Sequence, residues 1–205
     1  MIYSNRRRDM QSEEYISGIT RKIYSDAGFI VGPRTDIREQ YLGVDFSLEV
    51  KGEHWLVDEK AAITRLDGRL NTFCFELYSE NNKGNIGWLV NRNLITTHYS
   101  LIYPKSKTNN IYDLDEIEII LLEKDVIRNQ IIDELHKKNI HFNNLVSFMT
   151  TFGKDCNGKF YFRLNDTMEL VYSYSLFPER PINCIVNKRF LCYLAIEHLI
   201  KNIKE

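Results

Sequence analysis

The residues best equipped for chemistry lie together in "GVDFSLEVKGEHWLVDEKAA", positions 43–62, which holds Asp45, Glu49, Glu53, Asp58, Glu59 and Lys60. The stretch reads as two short strands around a two-residue turn, Lys51-Gly52. With that turn, Val50 pairs with Glu53, and counting outward sets Asp45 opposite Asp58. Residues paired in this way carry Cβ atoms about 4.5–5.5 Å apart. Side chains alternate along a strand, so Asp58 and Lys60 project from one face. All three then meet at one end of the hairpin. A bulge at Gly52 would shift the register by one residue and undo the meeting.

Two carboxylates face to face repel unless something positive lies between them. Paired hard oxygen donors suit Mg²⁺ or Mn²⁺, which bind through one or two carboxylates and keep waters and substrate phosphates as further ligands. A neighbouring lysine can orient or deprotonate water, or neutralise charge that builds up on a phosphoryl group. Metal-assisted phosphodiester hydrolysis needs that set of groups. The plainer reading is a solvated strand whose Lys60 makes a surface ion pair worth about 0.5 kcal/mol. Against it, "WLV" precedes Asp58 and "AAI" follows Lys60, so the charges interrupt an apolar run. Charge there is costly unless paired or metal-bound.

The elements that must hold these residues follow from periodicity. Residues 12–27 read as an amphipathic helix capped by Ser12 and closed by Gly28. Ile16, Ile19, Ile23 and Ala27 lie on its apolar side, and Arg21 and Lys22 on the other. A Gly-Pro turn at 32–33 leads to the hairpin. Alternating "LNTFCFELY" (70–78), "ITTHYSLIYP" (95–104) and "IEIILL" (117–122) read as strands. Residues 123–138 form a helix with Ile127, Ile131 and Leu135 on one face, and a helix is expected at 142–150. "KFYFRLNDTMELVYSY" reads as two strands around Asn165-Asp166. A closing helix over 188–202, capped by Asn187, completes the chain. The class is α+β, a mixed central sheet flanked by helices, read as a single domain over 1–205.

Composition narrows the function classes. The 205 residues carry 27 basic against 28 acidic groups, a net charge of −1, so a histone-like coat is excluded and any nucleic-acid contact rests on a local patch. No apolar run approaches the ~20 residues of a membrane span, and no apolar segment follows the basic cluster Arg6 to Arg8, so the expectation is a cytoplasmic protein without membrane partners. Cys74, Cys156, Cys184 and Cys192 lack paired spacings and read as buried free thiols. The five histidines form no HxH or HxxxH pair, and His54 is expected at the surface near the turn. Walker A, GxGxxG and G-x-S-x-G motifs are absent.

An acid at the start of one strand, a hairpin, then "VDEK" at the end of the next resembles the PD-(D/E)XK nuclease superfamily, over roughly residues 10–105. Val44 stands where the family's name-giving proline would be, and the segment after Lys60 reads as strand or loop where the family usually has a helix. The resemblance implies a restriction-endonuclease-like core over about 10–140 with a C-terminal extension over about 141–205. It implies a deoxyribonuclease using Mg²⁺ or Mn²⁺, often a homodimer. Asp45 and Asp58 match the metal-binding acids, and Lys60 matches the lysine that positions or activates water. Glu59 takes the x position, whose main-chain carbonyl completes the metal site. Glu14 matches the first-helix glutamate that some members use, its alternative being a surface acid that complements the helix dipole. Arg65 and Arg69, just past the motif, are candidate phosphate contacts. The other reading left open is a non-catalytic nucleic-acid-binding or structural protein on the same fold.

Overall fold

The structure, a computed structural model, describes residues 2–33, 36–80, 86–153, 158–176 and 179–204. In chain order its elements are α1 (Ile2–Asp26), β1 (Ile30–Val31), α2 (Ile37–Tyr41), β2 (Phe46–Val50), β3 (Glu53–Ala61), β4 (Thr72–Tyr78), β5 (His98–Lys105) and β6 (Glu116–Glu123). They continue through α3 (Lys124–Lys137), a 3₁₀ turn at Phe142–Asn144, α4 (Leu145–Gly153), β7 (Phe160–Arg163), β8 (Met168–Tyr172), β9 (Ile182–Asn187), α5 (Lys188–Leu194) and β10 (Glu197–Asn202). The class is α+β, as expected.

The chain divides into two compact units. The first comprises Met1–Leu70, Ile95–Glu123 and Ala195–Glu205, and the second Asn71–Leu94 and Lys124–Leu194. The expected core of about 10–140 therefore contains residues of both units, 71–94 and 124–140 grouping with the C-terminal segment.

The first unit is built on a six-stranded sheet in the order β1-β2-β3-β5-β6-β10, antiparallel throughout except where β3 runs parallel to β5. Ile16, Ile23 and Tyr24 of α1 pack in one cluster with Phe46, Leu48, Val57, Ile102, Ile119 and Leu121 of the sheet. The hairpin takes the register read from its turn: Val50 pairs with Glu53 and Phe46 with Val57. Lys51 (φ 51°) and Gly52 (φ 85°) both occupy the left-handed region, as a two-residue turn matched to strand twist requires. A Cβ on Gly52 would meet no atom within 4 Å, so only backbone strain opposes one. Gly52→Ala is expected to lower stability by about 1 kcal/mol, read as a shift of the urea midpoint at unchanged slope. No loss on substitution would argue against this turn.

In the second unit the sheet order is β4-β9-β8-β7, all antiparallel. β4 alternates as expected, with Phe73, Phe75 and Leu77 buried, and Ile127, Ile131 and Leu135 of α3 are buried too. Among the described residues, no helix is long and apolar enough to cross a membrane.

Four expectations need correction. α1 starts about ten residues before Ser12; no Gly or Pro interrupts residues 2–11, so nothing stops the helix there. Ser12 is thus a buried helical residue instead of a cap. Gly28 does close α1, at φ 90°, with the Phe29 amide donating to the Tyr24 carbonyl and the Gly28 amide to that of Ser25; Ala27 beyond the last turn is exposed. The closing helix ends at Leu194, and Glu197–Asn202 pairs antiparallel with β6. The open edge of β6 offers backbone partners that outweigh the local helical spacing. Cys74 is exposed on the outer side of β4, because its alternation with Phe73 and Phe75 turns it away from the core. Cys184 is buried as expected, and Cys156 lies outside the described residues.

Candidate metal and phosphodiester site

Asp45 stands one residue before β2. Its amide donates at 2.9 Å to the carbonyl of Val57, the residue that already pairs with Phe46, so the regular ladder ends at Phe46–Val57 and Asp45 is held beside that last pair. The Asp45 and Asp58 carboxyls lie within hydrogen-bonding reach of each other. Lys60, two residues on and on the same face of β3, brings Nζ to 2.6 Å from Asp58 Oδ1. The three residues read from the sequence therefore do meet. Arg65 and Arg69 are exposed in the loop after β3, where Arg69 makes a 3.8 Å ion pair with Asp67.

Asp58 is 4% exposed, so the picture of acids on a solvated strand fails for this residue. Burial raises its pKa to about 6, against the lowering pull of the Lys60 charge, and the Asp45 charge adds to the rise. Burial by itself would lower Lys60. The Asp58 charge and hydrogen bond, followed by the charges of Asp45 and Glu13, outweigh it and hold Lys60 above its ordinary value. The α1 acid whose charge acts on Lys60 is Glu13, one residue before the expected position. Glu14 is exposed and lies mid-helix, far from the helix start that its dipole role would require.

Glu59 points to the opposite face of β3, toward α1. Its Oε2 accepts from the Thr20 hydroxyl at 2.6 Å, and its own amide donates to Asp45 Oδ2 at 2.8 Å. Burial is the main cause that lifts its pKa to about 7; the Thr20 hydrogen bond opposes the lift and the Asp45 charge adds to it. Glu59 can thus join a metal site only through its main chain. Among the described residues, no third His, Cys, Asp or Glu side chain gathers with Asp45 and Asp58.

Periodicity did not reveal the α1 contribution. Arg21, expected on the solvent side, donates from Nη2 to the Asp45 carbonyl at 3.3 Å and lies over the Phe46 ring, 5.1 Å from its centroid. Tyr24 donates to the Ser100 hydroxyl at 2.8 Å, on the β5 residue that pairs with Glu59. The available signal was Thr20, a polar residue between Ile16 and Ile23 on the apolar side. His54 is exposed, as expected. His98 is buried against Trp55, with ring centroids 4.3 Å apart, and burial lowers its pKa to about 4. It therefore stays neutral at physiological pH.

The arrangement supplies two adjacent hard oxygen donors, one of them buried, beside a protonated amine. That donor set fits a small divalent cation. No protein-family model, curated protein or solved structure matches this chain.

Proposed function

We propose that the chain is a Mg²⁺- or Mn²⁺-dependent nuclease acting on DNA, with the six-stranded sheet as a restriction-endonuclease-like core. The observation that carries this reading is the convergence of Asp45, Asp58 and Lys60 at the end of a hairpin where Asp58 is 4% exposed. A buried carboxylate beside a second one is unfavourable unless a cation balances them. Asp45 and Asp58 would hold the ion, with the Glu59 main-chain carbonyl and waters completing it. When bound, the ion supplies a polarised phosphoryl oxygen and a more acidic water.

The other roles belong to the chain's own groups. Lys60 is protonated at neutral pH, because its pKa is raised. It acts as a charge and hydrogen-bond donor, orienting water and stabilising the phosphoryl oxygens as charge grows on them. Arg65 and Arg69, exposed beyond β3, offer phosphate contacts that position the strand without reading its sequence. A cytoplasmic location and a homodimer that cuts both strands belong to the same reading.

One observation favours a different class. The 2.6 Å pair of Lys60 with Asp58 neutralises one acid without any metal, as a non-catalytic nucleic-acid-binding or structural protein would need. Incubation with plasmid, linear duplex and single-stranded DNA in Mn²⁺ and in EDTA separates the two. The nuclease reading expects cleavage in Mn²⁺ that EDTA abolishes. Intact DNA of all three forms in Mn²⁺ would sink it, and retention of DNA without cleavage would favour the binding protein.

A further inference from the structure

We propose that Thr20 and Arg21 are positioning residues that fix the orientation of the Asp45 and Asp58 carboxylates; this inference rests on the reading of that pair as a cation site. The two are sequence neighbours on α1, yet each grips a different strand of the hairpin. Thr20 is fully buried, and its hydroxyl donates to Glu59 Oε2 at 2.6 Å and also lies 3.2 Å from the Ser17 carbonyl. Glu59 sits between Asp58 and Lys60, so holding its side chain fixes the rotation of β3 that aims both neighbours. The Glu59 amide then donates to Asp45 Oδ2 at 2.8 Å, which orients that carboxylate directly.

Arg21 acts on the other strand. Its Nη2 donates to the Asp45 carbonyl at 3.3 Å, and its guanidinium covers the Phe46 ring. Asp45 lies just outside the regular span of β2, where a ladder frays unless tied. The helix thus ties down Asp45 itself and Glu59, the residue next to Asp58 in β3. A binding constellation works only when held to about 0.5 Å, and its support comes from the groups behind it.

The test uses the full chain and Mn²⁺ alone, followed by calorimetric titration, with circular dichroism as the check on folding. Thr20→Val keeps the shape and removes the hydroxyl; Thr20→Ser keeps the hydroxyl. Arg21→Met keeps the stem and removes the guanidinium at a half-buried position, and serves where Thr20→Val fails to fold. Thr20→Val and Arg21→Met are expected to weaken Mn²⁺ binding about 10-fold, within the 10–100-fold range seen when groups behind metal ligands are removed. Thr20→Ser should stay near the parent. If the parent binds Mn²⁺ and both folded variants bind it equally well, the positioning role is overturned and the site survives. If the parent binds no Mn²⁺, the site reading falls first and the inference with it.

Discussion

Asp58→Ala and Lys60→Ala are each expected to lower Mn²⁺-dependent DNA cleavage by about 10²–10³-fold, roughly 3–4 kcal/mol of transition-state stabilisation. The two losses have different origins, and metal titration tells them apart. Removing Asp58 deletes one of two oxygen donors, so Mn²⁺ affinity falls with activity. Removing Lys60 leaves both donors but strips Asp58 of the charge that most opposes its raised pKa. More of the Asp58 carboxyl is then protonated near neutrality, and cleavage by Lys60→Ala should recover in part as pH rises above 7. Asp58→Ala has no carboxyl to ionise and should show no such recovery. Glu49→Gln, exposed on the same hairpin but near its turn, should cleave like the parent. Equal cleavage by the parent and by the alanine variants of Asp45, Asp58 and Lys60 would dismiss the catalytic assignment.

The hairpin was legible because its determinants are local. A Lys-Gly pair that tolerates positive φ sets the turn, and a period of two sets the faces, so the register as far as Phe46–Val57 follows by counting and brings Asp45 and Asp58 to the same end. The positions of Thr20 and Arg21 depend on which side of α1 meets the sheet and at what height. No spacing within residues 12–27 encodes that height. Residues 197–202 carry a pattern that fits a helix turn as well as a strand, and only the open edge of β6 decides between them. β4 shows the same limit differently. Its alternation marks it as a strand, but its partner β9 lies about a hundred residues further on. Nothing local says that it leaves the sheet of β3 and β5, which lie on either side of it in sequence.

Asp58→Asn is expected to make the metal-free protein as stable as the parent or more so at pH 7.5, and to abolish stabilisation by Mn²⁺. Asn keeps the shape of the side chain and removes the charge that burial penalises. The folded pKa of Asp58, about 6, stands above the ordinary value of 3.8. The proton is therefore held more tightly in the folded state. Below about pH 3 the group is protonated in both states and imposes no penalty; as pH rises from there through 6 the unfolded state ionises first, and stability falls until the folded group too carries its charge. A shift of about two units corresponds to roughly 3 kcal/mol. The 2.6 Å pair with Lys60 already opposes that shift and is contained in it, so the gain at pH 7.5 is expected on the order of 1–3 kcal/mol. At pH 4 most of the gain should be gone, since the folded group is then neutral in both proteins and the unfolded one only about half ionised. Glu59, raised to about 7, titrates in both proteins and cancels from the comparison. Mn²⁺ should stabilise the parent by mass action, and Asp58→Asn little or not at all. Urea melts at pH 4 and 7.5, in EDTA and then in Mn²⁺, measure all of these differences. If the variant is clearly weaker than the parent at pH 7.5 in EDTA and neither protein responds to Mn²⁺, Asp58 serves the fold through its lysine partner, and the acidic hairpin holds no metal.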